Sequence, residues 1–121
     1  MVRERGAAAV EFALVLPVLV TLVLGIAEFG RAYNQETILA AAAREAARTM
    51  AVQNSAVTAR TAAKTVASSL SLTDAQITGL PTTCTSGSTV NVTITYQSAS
   101  LTGFFGATRT LVAKGAMRCG G

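Results

Sequence analysis

The sequence predicts an α+β protein: a long N-terminal transmembrane α-helix extending into a small helix-backed antiparallel β-sheet domain. Three observations support this fold class. The segment 7–27 is apolar apart from one charge, the segment after it carries an apolar stripe of helical period, and 89–97 alternates between apolar and polar residues. We divide the chain into a leader at 1–6, a transmembrane helix at 7–27 and an extracytoplasmic domain at 28–121. That domain is predicted to be helical over 28–70 and strand-rich over 75–121.

The apolar run from Ala7 to Ala27 has the length of a membrane span. At a rise of about 1.5 Å per residue, a helix of this length reaches about 31 Å, which matches the hydrocarbon core of a bilayer. Arg3 and Arg5 precede the run, so the positive-inside tendency favours a cytoplasmic N-terminus and an outward C-terminal part. Arg31, on the far side, weakens this charge bias.

Glu11 is the single charge inside the run, and a carboxylate in hydrocarbon is costly unless it is paired or protonated. Its position predicts a functional carboxylate that needs a partner. Two other interpretations remain open. Glu11 lies one helical turn inside the span and could extend its side chain to the interface beside Arg5. The run could also be a secretory signal peptide, with small residues Gly25 and Ala27 at the cleavage site and Glu28 as the mature N-terminus.

Pro17 stands in the middle of the span and is predicted to kink the helix or to melt a turn locally. Proline has no N–H, so the carbonyl of Ala13 loses its helical hydrogen bond. Within a membrane the freed groups need other partners, and Thr21 can supply a hydroxyl.

Two helices are predicted beyond the span. The first continues from Glu28 to about Val52, and its apolar stripe recurs every three or four residues. The stripe consists of Leu39, Ala43, Ala46 and Met50. A break follows at 53–55, and a second helix runs from about 56 to 70 with Asn54 or Ser55 as its N-cap. Its predicted inner face consists of Val57, Val66, Leu70 and either Ala63 or Thr61.

The sequence of the C-terminal part predicts at least two strands. The first is 89–97, where one face is apolar, and the second is 108–118. In the connector 71–81, Thr73 and Gln76 fit a capping box, while 75–78 fits a short edge strand equally well. Between the strands, Phe104 and Phe105 lie on a glycine-bounded loop and either cover the core or form a contact patch for a partner.

Cys84 and Cys119 are the two cysteines of the chain, and both fall in the segment predicted to lie outside the cell. Thiols there tend to oxidise, so we predict a Cys84–Cys119 disulfide. Two free thiols, or thiols paired between molecules, are the alternative.

Composition argues against an enzyme. The chain has no histidine, no glycine-rich phosphate loop and no metal-ligand spacing, and Asp74 is the only acid after Glu45. We therefore predict no catalytic residue, no metal site and no cofactor. The net charge of +4 comes from scattered basic residues without the dense patch and aromatic residues that nucleic-acid binding needs, so no nucleic acid is expected.

The stretch RGAAAVEFALVLPVLVTLVLGIAEFGRAYN, followed by AAAAREAARTMA, resembles the TadE-like family of minor pilins or pseudopilins of the tight-adherence (Flp) type IV pilus system. The resemblance implies that a prepilin peptidase cuts between Gly6 and Ala7. It also implies that Glu11, followed by Phe12, guides assembly by meeting the new N-terminal ammonium of a neighbouring subunit. The expected fold is a single-pass protein, and the long outer domain favours a minor pilin over a major one.

The implied partners are other pilins, contacted through the N-terminal helix, together with the prepilin peptidase, the pilus assembly platform and the lipid bilayer. The implied location is the cell membrane, with entry into a surface pilus. The alternative function is an uncleaved, membrane-anchored surface module that binds an extracellular ligand through the Phe104–Phe105 loop.

Overall fold

The computed structural model describes residues 2–103 and 106–120 and confirms the α+β class. In this part of the chain, helix α1 spans Val2–Gln53 and helix α2 spans Ala56–Val66. Two 3-10 turns follow at Ser68–Leu70 and Asp74–Gln76. The strands are β1 at Ile77–Thr78, β2 at Thr89–Ala99 and β3 at Thr108–Arg118.

Helix α1 has 52 residues and is continuous from the predicted leader to the outer domain, a length of about 78 Å. It passes through Pro17 without a break, so the locally melted turn is not formed, and a kink at Pro17 stays a prediction. The Thr21 hydroxyl donates to the carbonyl of Pro17 itself at 2.7 Å, and not to that of Ala13.

Asn54 ends α1, and Ser55 begins α2. Asn54 adopts the left-handed conformation at φ 52°, which asparagine tolerates better than most residues, and its N–H donates to the carbonyl of Met50. The Ser55 hydroxyl accepts from the Thr58 N–H at 3.2 Å and caps α2 as predicted. Helix α2 ends at Val66, four residues before the predicted end, because a separate 3-10 turn takes over.

The sheet is antiparallel with the order β1-β2-β3. In the long hairpin Thr89 pairs with Arg118 and Ala99 pairs with Thr108, while Ile77 of β1 pairs with Ile94 on the other side of β2. The Thr73–Gln76 capping box is present, and the predicted edge strand 75–78 is formed only at Ile77–Thr78, because residues 75 and 76 belong to the 3-10 turn.

The core lies between the sheet and the C-terminal half of α1. The predicted stripe Leu39, Ala43, Ala46 and Met50 is fully buried. It faces the buried residues of β2 and β3, which are Val90, Val92, Ile94, Leu111 and Ala113. Strand β3 comes close to α1 at Gly115, where an added Cβ would lie 2.5 Å from the backbone carbonyl of Ala43.

The predicted inner face of α2 is only partly correct, because Ala63 is buried as predicted whereas Val57 and Val66 are exposed. Val57 is 75% exposed, whereas Ala59, Ala63 and Ala67 are fully buried in the core that α1 also forms. Small side chains let the two helices approach closely, and the larger valine is left on the outside. Leu70 is buried as predicted, although it belongs to the 3-10 turn.

Candidate assembly site and helix–hairpin junction

The N-terminal half of α1 packs against nothing in the described chain. Every residue from 3 to 23 is exposed, including Val15, Leu19 and Val23. Among the described residues one helix is long and apolar enough to cross a membrane, and this is α1, with a mean hydropathy of 2.5 in its most apolar window. An exposed apolar surface of this extent needs lipid or other helices to cover it.

Gly6 and Ala7 lie within α1 and are exposed. A Cβ added at Gly6 would meet nothing within 4 Å, so the surroundings of the Gly6–Ala7 bond are open. Cleavage at this bond stays a prediction.

Glu11 and Phe12 are exposed on the same helix, with Phe12 at 64%. Within residues 2–103 and 106–120, the Glu11 side chain forms no hydrogen bond or ion pair, and its extension to the interface beside Arg5 stays an open interpretation. Glu11 lies about 6 Å along the helix axis from Ala7. The carboxylate is therefore available to a group from outside the described chain, and its assembly role stays a prediction.

The structure reveals a polar junction between α1 and the hairpin that sequence reasoning missed. Glu28 Oε1 accepts from the Ser100 hydroxyl at 2.9 Å, the Thr102 N–H at 2.8 Å and the Thr102 hydroxyl at 3.0 Å. One and two turns further along α1, the Arg31 guanidinium donates to the Ala99 carbonyl at 2.9 Å, and the buried Ser98 hydroxyl donates to the Gln35 side chain. We call this set of α1 side chains and their hairpin partners the junction clamp.

The clamp holds the Glu28 carboxylate in its charged form. Partial desolvation raises the pKa of Glu28, but the hydrogen bonds from Thr102, Ser100 and the Leu101 backbone outweigh it, so the pKa lies below its ordinary value. Arg109 adds a further contact across the junction, with its guanidinium 5.4 Å from the centre of the Phe29 ring.

No local pattern identifies the hairpin partners of these α1 side chains. The partners of Glu28 lie 72 and 74 residues away in sequence, and that of Arg31 lies 68 residues away. The available signal was a run of polar residues, Glu28, Arg31 and Gln35, at helical spacing just after the apolar segment.

The predicted Cys84–Cys119 disulfide is present, with 5.6 Å between the two Cα atoms. It joins the loop before β2 to the residue that follows β3. The Cys119 N–H donates to the Ser88 carbonyl at 2.8 Å, and the Cys84 N–H donates to Asn54 Oδ1 at 2.6 Å. The end of the domain remote from the span is thus fixed to the α1–α2 turn. Phe104 and Phe105, the predicted core cover or contact patch, lie outside the described residues.

Comparison with protein families finds one match: residues 6–48 fit the family described as TadE-like protein. The matched segment covers about a third of the chain and contains the predicted cleavage bond, Glu11, Phe12 and Pro17. Comparisons with curated proteins and with solved structures give no match. The predicted resemblance is confirmed over residues 6–48, which match the TadE-like family, and this match supports a component associated with the tight-adherence pilus.

Proposed function

We propose that this chain is a minor pilin of a tight-adherence pilus system, a structural component without catalytic activity. Its N-terminus lies in the cytoplasm, the segment 7–27 spans the membrane, and the domain from 28 onward lies outside. A prepilin peptidase removes residues 1–6, and Ala7 becomes the mature N-terminus. The protein then supports pilus biogenesis and adhesion together with other pilins and the assembly platform.

The observation that carries this proposal is Glu11, which lies within the TadE-like segment on an exposed apolar helix and has no partner in the described chain. An isolated carboxylate in hydrocarbon costs several kcal/mol. The free ammonium of a cleaved neighbour would offset this cost, because opposite charges attract strongly where the dielectric constant is low. Assembly would then favour a processed neighbour over an unprocessed one.

The packing of α1 limits where other pilins can bind. The alanine-rich face of its C-terminal half is buried by the protein's own sheet and by α2, including Ala43 and Ala46. The apolar surface that remains for neighbouring helices is the N-terminal half. This division supports a filament subunit whose span packs with other spans while the outer domain packs on the C-terminal half of the same helix.

The first test identifies the N-terminal residue of the mature protein by mass spectrometry, on protein purified from its own host. We expect a start at Ala7. A start at Met1 would contradict processing and favour the uncleaved surface module. A start at Glu28 would identify the apolar segment as a secretory signal and would remove the membrane anchor from the mature protein.

The second test measures incorporation into sheared pili for Glu11→Gln and Glu11→Ala, with Glu36→Gln as the matched control on an exposed part of the same helix. Loss of the buried pair is expected to reduce incorporation at least about tenfold, because breaking such a pair costs several kcal/mol. Membrane insertion should be unchanged in all variants. Wild-type incorporation of both Glu11 variants would refute the assembly role of the carboxylate.

A further inference from the structure

The junction clamp lies at the depth of the lipid headgroups. Ala27 is the last residue of the span. Glu28 lies one residue after Ala27 and Arg31 lies four residues after Ala27, so these two residues lie about 1.5 Å and 6 Å beyond the hydrocarbon along α1. The headgroup layer of a bilayer is about 5 to 7 Å thick on each side. Both residues therefore fall inside this layer when the segment 7–27 spans the membrane.

The hairpin runs down α1 toward the membrane. Contacts pair Ser98 with Gln35, Ala99 with Arg31, and Ser100 with Glu28, so each step along β2 moves closer to the span. We call the described residues between β2 and β3, which are 100–103, 106 and 107, the hairpin tip. Because Glu28 holds it at two positions, the tip lies beside the outer end of the span.

The chemistry of the tip and of its surroundings suits an interfacial layer. Leu101 is 56% exposed although its neighbours are fixed to Glu28, and Phe29 is 61% exposed at the same level of α1. Arg31 and Arg109 flank them with positive charge. Apolar side chains beside arginines, with an aromatic ring at the boundary, are the combination found at headgroup depth.

The geometry favours a flat lipid surface over a small molecule. The cavity between α1 and the hairpin, lined in part by Glu28, Arg31 and Arg109, has a volume of about 30 Å³, which is room for only a few water molecules. A headgroup cannot enter it. By contrast, Leu101 is an exposed apolar side chain beside the end of the span, where Phe29 and Ile26 are also exposed.

We propose that the hairpin tip is a second membrane contact of the outer domain, in which Leu101 enters the interfacial layer and Arg31 and Arg109 lie at the level of the lipid phosphates. The domain then rests on the bilayer at two points and has a fixed orientation relative to it. This inference depends on the single-pass placement in the proposed function. The clamp, and Glu28 above all, positions the tip.

The test places a nitroxide spin label on the full-length protein in vesicles of phosphatidylcholine and phosphatidylglycerol. Both native cysteines are paired with each other, so a single introduced thiol takes the label. Leu101→Cys reports on the tip, Leu19→Cys on the span, and Val57→Cys on an exposed site of α2 remote from the membrane. Power saturation with oxygen and with a water-soluble nickel complex measures the depth of each label.

The label at Leu101 is expected to show an oxygen-to-nickel accessibility ratio several times that of the label at Val57, and closer to that of the label at Leu19. Glu28→Ala should bring the Leu101 ratio down to the Val57 value and leave the Leu19 ratio unchanged. A deep Leu19 label with a water-exposed Leu101 label would overturn this inference alone. A water-exposed Leu19 label would overturn the membrane placement in the proposed function as well.

Discussion

Replacing Gly115 by alanine is expected to destabilise the outer domain. The added Cβ would lie 2.5 Å from the carbonyl carbon and oxygen of Ala43 and 2.7 Å from the Arg44 nitrogen. These are backbone atoms, so no side chain can rotate away. Strand β3 and helix α1 would have to separate by about 1 Å to restore ordinary contact, and gaps of that size forfeit a quarter to a half of the dispersion energy of the atoms they part.

Overpacking of this kind costs about 1 to 3 kcal/mol. The opposing effect is small: alanine restricts the unfolded chain more than glycine does and gains about 0.4 to 1 kcal/mol where the native backbone accepts it. The packing cost is therefore expected to exceed the entropic gain, and the variant should be less stable than the wild type. For a domain of this size a loss of 1 kcal/mol lowers Tm by about 4 to 8 °C.

The assay is thermal unfolding of the full-length protein in detergent, followed by circular dichroism. Gly30→Ala is the matched control, because Gly30 lies in α1 and a Cβ there meets nothing within 4 Å. It is expected to raise stability slightly through helix propensity. A Gly115→Ala protein that melts at or above the wild-type temperature would refute the close approach of β3 to α1.

Two further changes test the ends of the domain. Cys84→Ser is expected to remove about 3 to 4 kcal/mol in the chain-entropy model, because the bridge joins residues separated by 35 positions, and to lower Tm by at least about 10 °C. Wild-type protein with the disulfide reduced should have the same Tm as the variant. A variant with the Tm of the oxidised wild type would argue against a stabilising bridge. The pKa of Glu28 is lowered in the folded protein. The stabilisation of the fold by this carboxylate is therefore present above pH 4.5, the ordinary pKa, and is lost as the pH falls through the pKa of the folded protein. The difference in Tm between wild type and Glu28→Gln should therefore shrink between roughly pH 7 and pH 3, and a constant difference would refute the clamp's dependence on charge.

Local periodicity predicted the strands and the main helix face well. Strand β3 has the predicted bounds, 108 to 118, and the alternation of Val90, Val92 and Ile94 marks the buried face of β2. The stripe from Leu39 to Met50 is buried as a unit. These features depend on repeats of two and of 3.6 residues, which the sequence carries within a few positions.

The inner face of α2, which packs against α1 through small residues, was predicted less well. On α2 the prediction placed Val57 and Val66 on the inner face beside Ala63 or Thr61, yet Ala59 and Ala63 are buried and the two valines are exposed. Hydrophobicity ranks side chains by the free energy of transfer from water, whereas the interface with α1 selects them by the space available. That space is set by the partner helix, although the buried alanines do recur every four residues in the sequence.

The sequence by itself determined the apolar segment, the position of Glu11 after Gly6, the TadE-like match and the alternation of the strands, because each depends on residues close together in the chain. Only the tertiary structure decided that Glu28 and Arg31 hold the hairpin and that Gly115 meets Ala43. These contacts join residues about 70 positions apart, and their partners are selected by the register of β2 and β3 and by their direction along α1. Long-range pairing of polar groups depends on that geometry, and neither residue type nor local spacing encodes it.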